Sequence, residues 1–246
     1  MSRISVRSVF LIVAVMILTA IACAVAAGFI RERRTAEAFD NLKRSGAEIH
    51  LSSPHWCQAT VSRNLETLVT DQVRLEFVGI RTPLIYIVSD VRKIDKDVSL
   101  SLQDVSLTNA DILSLSTLTN LTTLSVSDLW MSDRSMKSIA NIKQLQCLSI
   151  HGGQMTDGSC REIGGLSNLK HLCLVGLPID DSGLSELANL EHLEILDLRE
   201  TRVTDVGLAH LAKFTRIQLV DVRNTQVTAE GVQRLRKARP GIEIQF

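Results

Sequence analysis

A 24-residue period runs without a gap through the C-terminal part of this chain and limits its fold more than any other feature. Rows written at that period begin at Asp97, Leu121, Leu145, Leu169, Leu193 and Ile217, with a truncated seventh from Gly241. The fourth and sixth places read Leu100/Leu102, Leu124/Val126, Leu148/Ile150, Leu172/Leu174, Leu196/Leu198, Val220/Val222 and Ile244/Phe246. Apolar–x–apolar is the alternation of a short strand with one buried face. The twelfth place is Thr108, Ser132, Thr156, Asp180, Thr204 and Thr228, each able to accept from the free amides of a helix's first turn. Apolar trios at helical spacing follow: Ile112/Leu115/Leu118, Met136/Ile139/Ile142, Cys160/Ile163/Leu166, Leu184/Leu187/Leu190, Leu208/Leu211/Phe214 and Val232/Leu235/Ala238. Each row therefore reads as strand, turn, capped short helix and return. One such unit cannot cover its own apolar face, so the rows must stack.

The fifth row, Leu193-x-x-Leu196-x-Leu198-x-x-Thr201-x-Val203-Thr204-Asp205-x-Gly207-Leu208-x-x-Leu211, resembles the bacterial leucine-rich repeat of L-x-x-L-x-L-x-x-T-x-V-T-D-x-G-L type. It is also similar to the cysteine-containing leucine-rich repeats of F-box adaptors. The resemblance covers residues 97–246. It implies an α/β solenoid, a horseshoe with parallel strands on the concave face and short helices on the convex face. It also implies protein recognition without a cofactor. The sequence departs from the family pattern at the ninth place. Thr201 and Thr225 keep the polar residue there, while Val105, Leu129, Gly153 and Leu177 do not.

Aromatic residues make up 4% of the chain, so Leu and Ile must fill the core, which suits a thin layered architecture. Charge is balanced, with 27 basic and 27 acidic residues. Residues 1–97 carry 13 basic against 10 acidic, and residues 98–246 carry 14 against 17, so nothing favours a nucleic-acid partner. Five cysteines (Cys23, Cys57, Cys147, Cys160 and Cys173), unevenly spaced and without C-x-x-C, form neither a disulfide framework nor a zinc site.

Ahead of the repeats, Val9–Ile30 is a run of 22 uncharged residues flanked by Arg3, Arg7, Arg31, Arg33 and Arg34. About 20 such residues cross a bilayer as one helix. Two other readings stay open: a signal peptide cut after Ala24-Val25-Ala26, and a lipoprotein with Cys23 preceded by Ala22 and by Ala20. The flanking charges nearly tie, but the short N-terminus favours a signal anchor that leaves Arg3 and Arg7 inside and exports the repeats. The expected organisation is a tail over 1–8, a transmembrane helix over 9–30, a juxtamembrane helix and irregular cap over 31–96, and repeats over 97–246. Residues 31–46 carry Ala36, Phe39 and Leu42 on one face; they either rise from the membrane as a stalk or, the favoured reading, pack on the solenoid's N-terminal end as a cap. The runs around Val73–Phe77 and Leu84–Val88 look like strands, and Phe246 ends the chain within the seventh repeat strand. That last edge is a weakness or a docking point for a second copy.

No phosphate-binding glycine loop, H-E-x-x-H or nucleophile elbow is present, so the expectation is a binding protein without catalytic residues, cofactor or metal. His151 and His171 occupy different places of neighbouring rows, too far apart along the strands to share one ion. The third, fifth and seventh places of each strand face the concave side. There the early rows are small (Ser99, Ser101, Thr123, Ser125), the middle ones carry Cys147, His151, His171 and Cys173, and the last two show Asp197, Arg199, Asp221 and Arg223. Stacking sets Asp197 beside Asp221 and Arg199 beside Arg223. The four charges either neutralise one another as surface decoration or form a polar hot spot, with guanidinium forks for a charged partner. His151, His171, Asp197, Arg199, Asp221 and Arg223 are thus the candidate protein-binding residues. Three roles follow: a membrane-anchored protein-interaction module, an envelope component that self-associates through its last edge, or an intracellular adaptor presenting targets to an enzyme.

Because only the last two full rows keep the polar ninth place, the early repeats should be the less stable ones. Amide hydrogen exchange should show weaker protection over 97–144 than over 193–240. Uniform protection along the array would rule this out.

Overall fold

The computed structural model describes residues 37, 38, 40, 41, 44, 48–50, 72–78, 84–94, 97–103, 107–127 and 131–246. The tail over 1–8 and the apolar segment 9–30 lie outside these, as do Ala36, Phe39, Leu42, Val105 and Leu129. Among the described residues no helix is long and apolar enough to cross a membrane.

One nine-stranded sheet runs the length of the repeats, its strands in sequence order. They are β1 (Glu48–His50), β2 (Gln72–Val78), β3 (Asp97–Gln103), β4 (Leu121–Ser127), β5 (Cys147–His151), β6 (His171–Val175), β7 (Ile195–Asp197), β8 (Leu219–Asp221) and β9 (Glu243–Gln245). β1 pairs antiparallel with β2, and every later pair is parallel. From β4 to β9 the register links identical places of consecutive rows, for example Leu148 to Leu172 and Leu172 to Leu196. The helices are α1 (Leu84–Val91), α2 (Asn109–Leu115), α3 (Asp133–Ile139), α4 (Asp157–Ile163), α5 (Asp181–Glu186), α6 (Asp205–His210) and α7 (Ala229–Ala238). Their apolar sides and the fourth- and sixth-place strand residues close one continuous core.

The array reaches further toward the N-terminus than the 24-residue rows. β2 pairs parallel with β3, Val73 opposite Val98, and α1 stands where a repeat helix should. Leu84–Val88 is therefore helix, not strand. Its Ile87, Val88 and Val91 are buried, and a parallel neighbour strand needs a crossover element between. Residues 37, 38, 40, 41 and 44 are helical, Ala38 is fully buried, and the Asn41 amide donates to Asp90 of α1 at 3.3 Å. Through Asn41 this segment meets α1, while the stripe of Ala36, Phe39 and Leu42 read from the sequence lies outside the described residues.

Five of the six twelfth-place residues cap their helices with a side-chain oxygen. Thr108 accepts from the Asp111 amide, Thr156 from Gly158, Asp180 from Ser182, Thr204 from Val206 and Thr228 from Gly231. Ser132 makes no such bond. Two expected core positions are exposed, Ala238 at the end of α7 and Phe246, which lies beyond β9 with 56% of its surface in solvent. With no further repeat helix or strand among the described residues to cover them, their periodicity is right and their burial is not.

Two stitches join repeat to repeat. The first is an aspartate directly after the helix cap. Asp133 accepts from the Thr156 amide (2.8 Å), the Thr156 hydroxyl (2.6 Å) and the Ser159 hydroxyl. Asp181 does the same for Thr204 (2.8 and 2.6 Å), and Asp205 for Thr228 (2.8 and 2.8 Å). Asp157 takes the Asp180 amide and the Ser182 hydroxyl, each at 3.0 Å. Burial pushes the Asp133 carboxyl up, but the donors from Ser159 and Thr156 outweigh it and hold it below the ordinary value. The Thr228 amide and hydroxyl lower Asp205 likewise. The second stitch is the twenty-fourth place. Asn120 donates to the Val91 and Ile94 carbonyls, Gln144 to Leu118 and Asn168 to Lys143, satisfying carbonyls left open after the preceding helix.

The first stitch explains the glycine two residues after the aspartate. A Cβ at Gly207 would lie 2.2 Å from Asp181 Oδ1 of the preceding repeat. Gly207→Ala should therefore destabilise by about 1–3 kcal/mol in chemical denaturation. In an Asp181→Ala background the collision is gone and the better helix propensity of alanine should make the change neutral or favourable. An equal cost in both backgrounds would show that the aspartate is not the reason for the glycine.

Candidate functional site

The third, fifth and seventh strand places line up as three columns across the sheet. The fifth column runs Ser101, Ser125, Ser149, Cys173, Asp197, Asp221 and Gln245. It forms a floor rather than a presented surface. Ser101, Ser149, Asp197 and Asp221 are all buried, Asp221 with 1% of its surface exposed. The third column continues from Thr123 through Cys147, His171, Ile195 and Leu219 to Glu243. Over this floor lies a cavity of about 280 Å³, lined from Ser101 and Gln103 on β3 to Asp221 and Arg223 beside β8.

The buried aspartates do two jobs. Asp197 Oδ1 accepts the Arg199 amide at 3.1 Å, and Asp221 Oδ1 accepts the Arg223 amide at 3.1 Å. Each carboxylate thereby turns the chain away two residues later, and β7 and β8 end at the aspartates. The turns need a left-handed residue at the eighth place, which Glu200 (φ 61°) and Asn224 (φ 59°) supply. The ninth-place Thr201 and Thr225 hydroxyls then donate to the Leu198 and Val222 carbonyls at 2.7 and 2.5 Å. These bonds are made at the two ninth places that keep the family's polar residue.

Each aspartate also holds its arginine. Arg199 donates through Nε (2.9 and 3.0 Å) and Nη2 (2.7 Å) to Asp197. Arg223 does so through Nε (2.9 and 3.1 Å) and Nη2 (2.6 Å) to Asp221. Arg199 Nε also lies 3.5 Å from Asp221, linking the two pairs across strands. The Asp197 hydrogen bond raises the Arg199 pKa first, with burial opposing it. The four charges are thus brought together, as the register required. Only the guanidiniums face solvent, with Arg199 32% and Arg223 46% exposed at the side chain. Among the described residues no hydrogen bond engages their Nη1 groups.

The two histidines belong to separate contacts. His171 Nδ1 lies 3.3 Å from the Cys147 sulfur on the neighbouring strand. His151 Nε2 lies 2.9 Å from the Ser149 hydroxyl and 3.8 Å from the Cys173 sulfur, which donates to Asp197 Oδ2 at 3.6 Å. Burial pushes His151 toward the neutral form. Burial does the same to His171, but the hydrogen bond and negative charge of the Cys147 sulfur outweigh it and raise its pKa. Among the described residues no group of three metal-ligating side chains is present. Cys147 and Cys173 are thiols; the sequence reading set them on this face but not among the candidate protein-binding residues. The signal was available, since Cys147 and His171 hold the same place of consecutive rows.

No family model matches this chain, and no curated protein does. Among solved structures, it is similar to an internalin C2 from Listeria monocytogenes, at 18% identity and TM-score 0.47 over 66% of this chain and 76% of that one. It is also similar to an internalin (inlF) from the same organism, at 17% identity and TM-score 0.46, over 64% of this chain and 43% of that one. A protein from Bacteroides fragilis matches at 18% identity and TM-score 0.46, over 66% of this chain and 60% of that one.

Truncating Arg223 leaves the Asp221 carboxylate buried without its nearest cation. Arg223→Ala should lower the urea midpoint, because it leaves the buried carboxylate short of a donor, and adding Asp221→Asn should recover part of the loss. A double variant less stable than the single one would mean that Asp221 is held by other groups.

Proposed function

We propose that this chain is a protein-recognition module that takes its partner on the strand face of the solenoid, centred on Arg199 and Arg223. The observation that carries this reading is the pair of clamped guanidiniums. Asp197 and Asp221 hold each fork through Nε and Nη2, while the arginine side chains stay 32% and 46% exposed. Ordering a long cationic side chain ahead of binding removes part of the entropy cost of association. Ile195, half-buried, and Leu219, buried, line the cavity over this face on the neighbouring strands. The partner's matching chemistry is a carboxylate-bearing polypeptide surface, since guanidinium forks read carboxylates in paired contacts. The family resemblance points the same way, toward recognition of protein without cofactor and without catalysis.

Residues 9–30 are the proposed tether, a single membrane pass that leaves the repeats on the extracytoplasmic side.

The test is partner capture from native envelope and soluble fractions with three full-length baits. These are the unmodified chain, Arg199→Gln with Arg223→Gln, and a helix-side control with Arg161→Gln and Arg234→Gln. A protein retained by the first and third but lost from the second supports the reading. Retention by all three, or loss from both variants, moves binding away from this face. Protease accessibility of the repeats in intact cells tests the orientation, and protection would place them inside.

A further inference from the structure

We infer that Cys147 is a nucleophilic thiol site, with His171 as the group that holds its proton, and that it takes small disulfides. The inference goes beyond partner recognition and does not depend on it.

The geometry begins with the repeat register. Cys147 opens β5 and His171 opens β6, and as third-place residues they are direct neighbours in the parallel pairing. Their side chains meet on the strand face with sulfur and Nδ1 3.3 Å apart, close enough for the thiol proton to pass to the imidazole. Neither side chain is sealed in the core, as both are half-buried on the open side of the sheet. His171 also lines the cavity over the sheet, so that space adjoins the pair on its imidazole side. Glu194 and Lys170, flanking His171 with opposite charges, are the other groups that bear on its protonation.

The other described cysteines are built differently. Cys173 gives its hydrogen bond to the Asp197 carboxylate, and burial together with that negative charge pushes its thiol up to about 12. Cys160 faces the helix side, fully buried among the core residues, and burial followed by the neighbouring Asp157 pushes it to about 12 as well. A thiolate needs a cation or a proton acceptor beside it and access to the reagent. Cys173 also has an imidazole, His151 Nε2 at 3.8 Å, but shares it with the Asp197 carboxylate; the shortest sulfur–imidazole contact of the three cysteines is that of Cys147 with His171, at 3.3 Å.

The chemistry balances with a disulfide as co-reactant. The Cys147 thiolate attacks one sulfur of the incoming disulfide, a new S–S bond forms, and the old one breaks. The departing thiolate takes the proton held on His171 and leaves as a thiol. The product is a mixed disulfide on Cys147. It does not resolve internally against Cys173. That residue lies one strand over and two places along, a Cα diagonal of about 8 Å, beyond the roughly 6.8 Å that a disulfide spans. The adduct therefore stays in the strand face until an external thiol removes it.

The test uses the full chain in mild detergent with oxidised glutathione, and peptide mapping by mass spectrometry follows each cysteine. An unstructured cysteine peptide is the reference. Cys147 should carry the adduct, and its pH–rate inflection should fall below the ordinary thiol value of about 8.5. Near pH 6.5 it should react about tenfold faster than the peptide, since the gain in thiolate is partly offset by lower nucleophilicity. Cys173 and Cys160 should stay unmodified. His171→Gln should remove the tenfold advantage and return the inflection to about 8.5 or higher, with the circular dichroism spectrum unchanged. A Cys147 that reacts no faster than the peptide, or an inflection that His171→Gln leaves in place, overturns the inference. If His171→Gln does not fold, the inflection of the unmodified chain decides alone, and a value at or above about 8.5 overturns it.

Discussion

The carboxylate that follows each helix cap holds this solenoid in register. A row of apolar side chains specifies that units stack, but hydrophobic contact is non-directional and would tolerate sliding. The bonds from Asp133, Asp157, Asp181 and Asp205 to the next repeat's cap are directional and charge-assisted. Each one links two helix N-termini, where a negative charge is also favoured by the helix dipole. The preceding carboxylate occupies the space a Cβ would need at Gly183, Gly207 and Gly231. Where the third row has Ser159 instead, its hydroxyl joins the same network by donating to Asp133. The aspartate and the small residue are thus one feature, written in two adjacent repeats.

Register in turn creates the strand-face chemistry. With rows locked place to place, any two consecutive substitutions in one column become neighbours. Asp197 meets Asp221, and Cys147 meets His171, for that reason alone. Two buried carboxylates side by side would repel strongly. Their arginines, one of which reaches across the strands, make the arrangement tolerable. The same carboxylates end β7 and β8 by taking the amide two residues on. The shape of the sheet's C-terminal end and the position of its cations therefore have a common origin.

Much of this was legible in the sequence, because period 24 carries strand, cap and helix face at once. The fourth- and sixth-place core, five of the six caps and the pairing of like places all follow from reading rows against one another. What the rows could not convey was context outside the repeat. Leu84–Val88 looked like a strand because a short apolar run lacks a decisive period, and a helix, here Leu84–Val91, is what a parallel crossover requires. Ala238 and Phe246 fit the pattern but lack a covering neighbour among the described residues. The fifth column looked presented because alternation says which side a residue takes, not how deep it sits. Burial of Asp197 and Asp221 comes from their arginines folding over them. The aspartate–glycine link escaped because its two halves lie 26 residues apart, as with Asp181 and Gly207.

Departures from the repeat therefore mark where this protein's individuality lies. A column of identical small residues, such as Ser101, Ser125 and Ser149, is what stacking alone tolerates, since side chains of that size fit between neighbouring strands. Each replacement further along brings a group that must be satisfied. A thiol finds an imidazole, a second thiol finds a carboxylate, and that carboxylate finds a guanidinium. The sequence of contacts from Ser149 through His151, Cys173, Asp197 and Arg199 to Asp221 crosses four strands without leaving the face. A scaffold kept rigid by its aspartate stitches carries such a chain at little cost in backbone order. Its polar groups are held in place by one another.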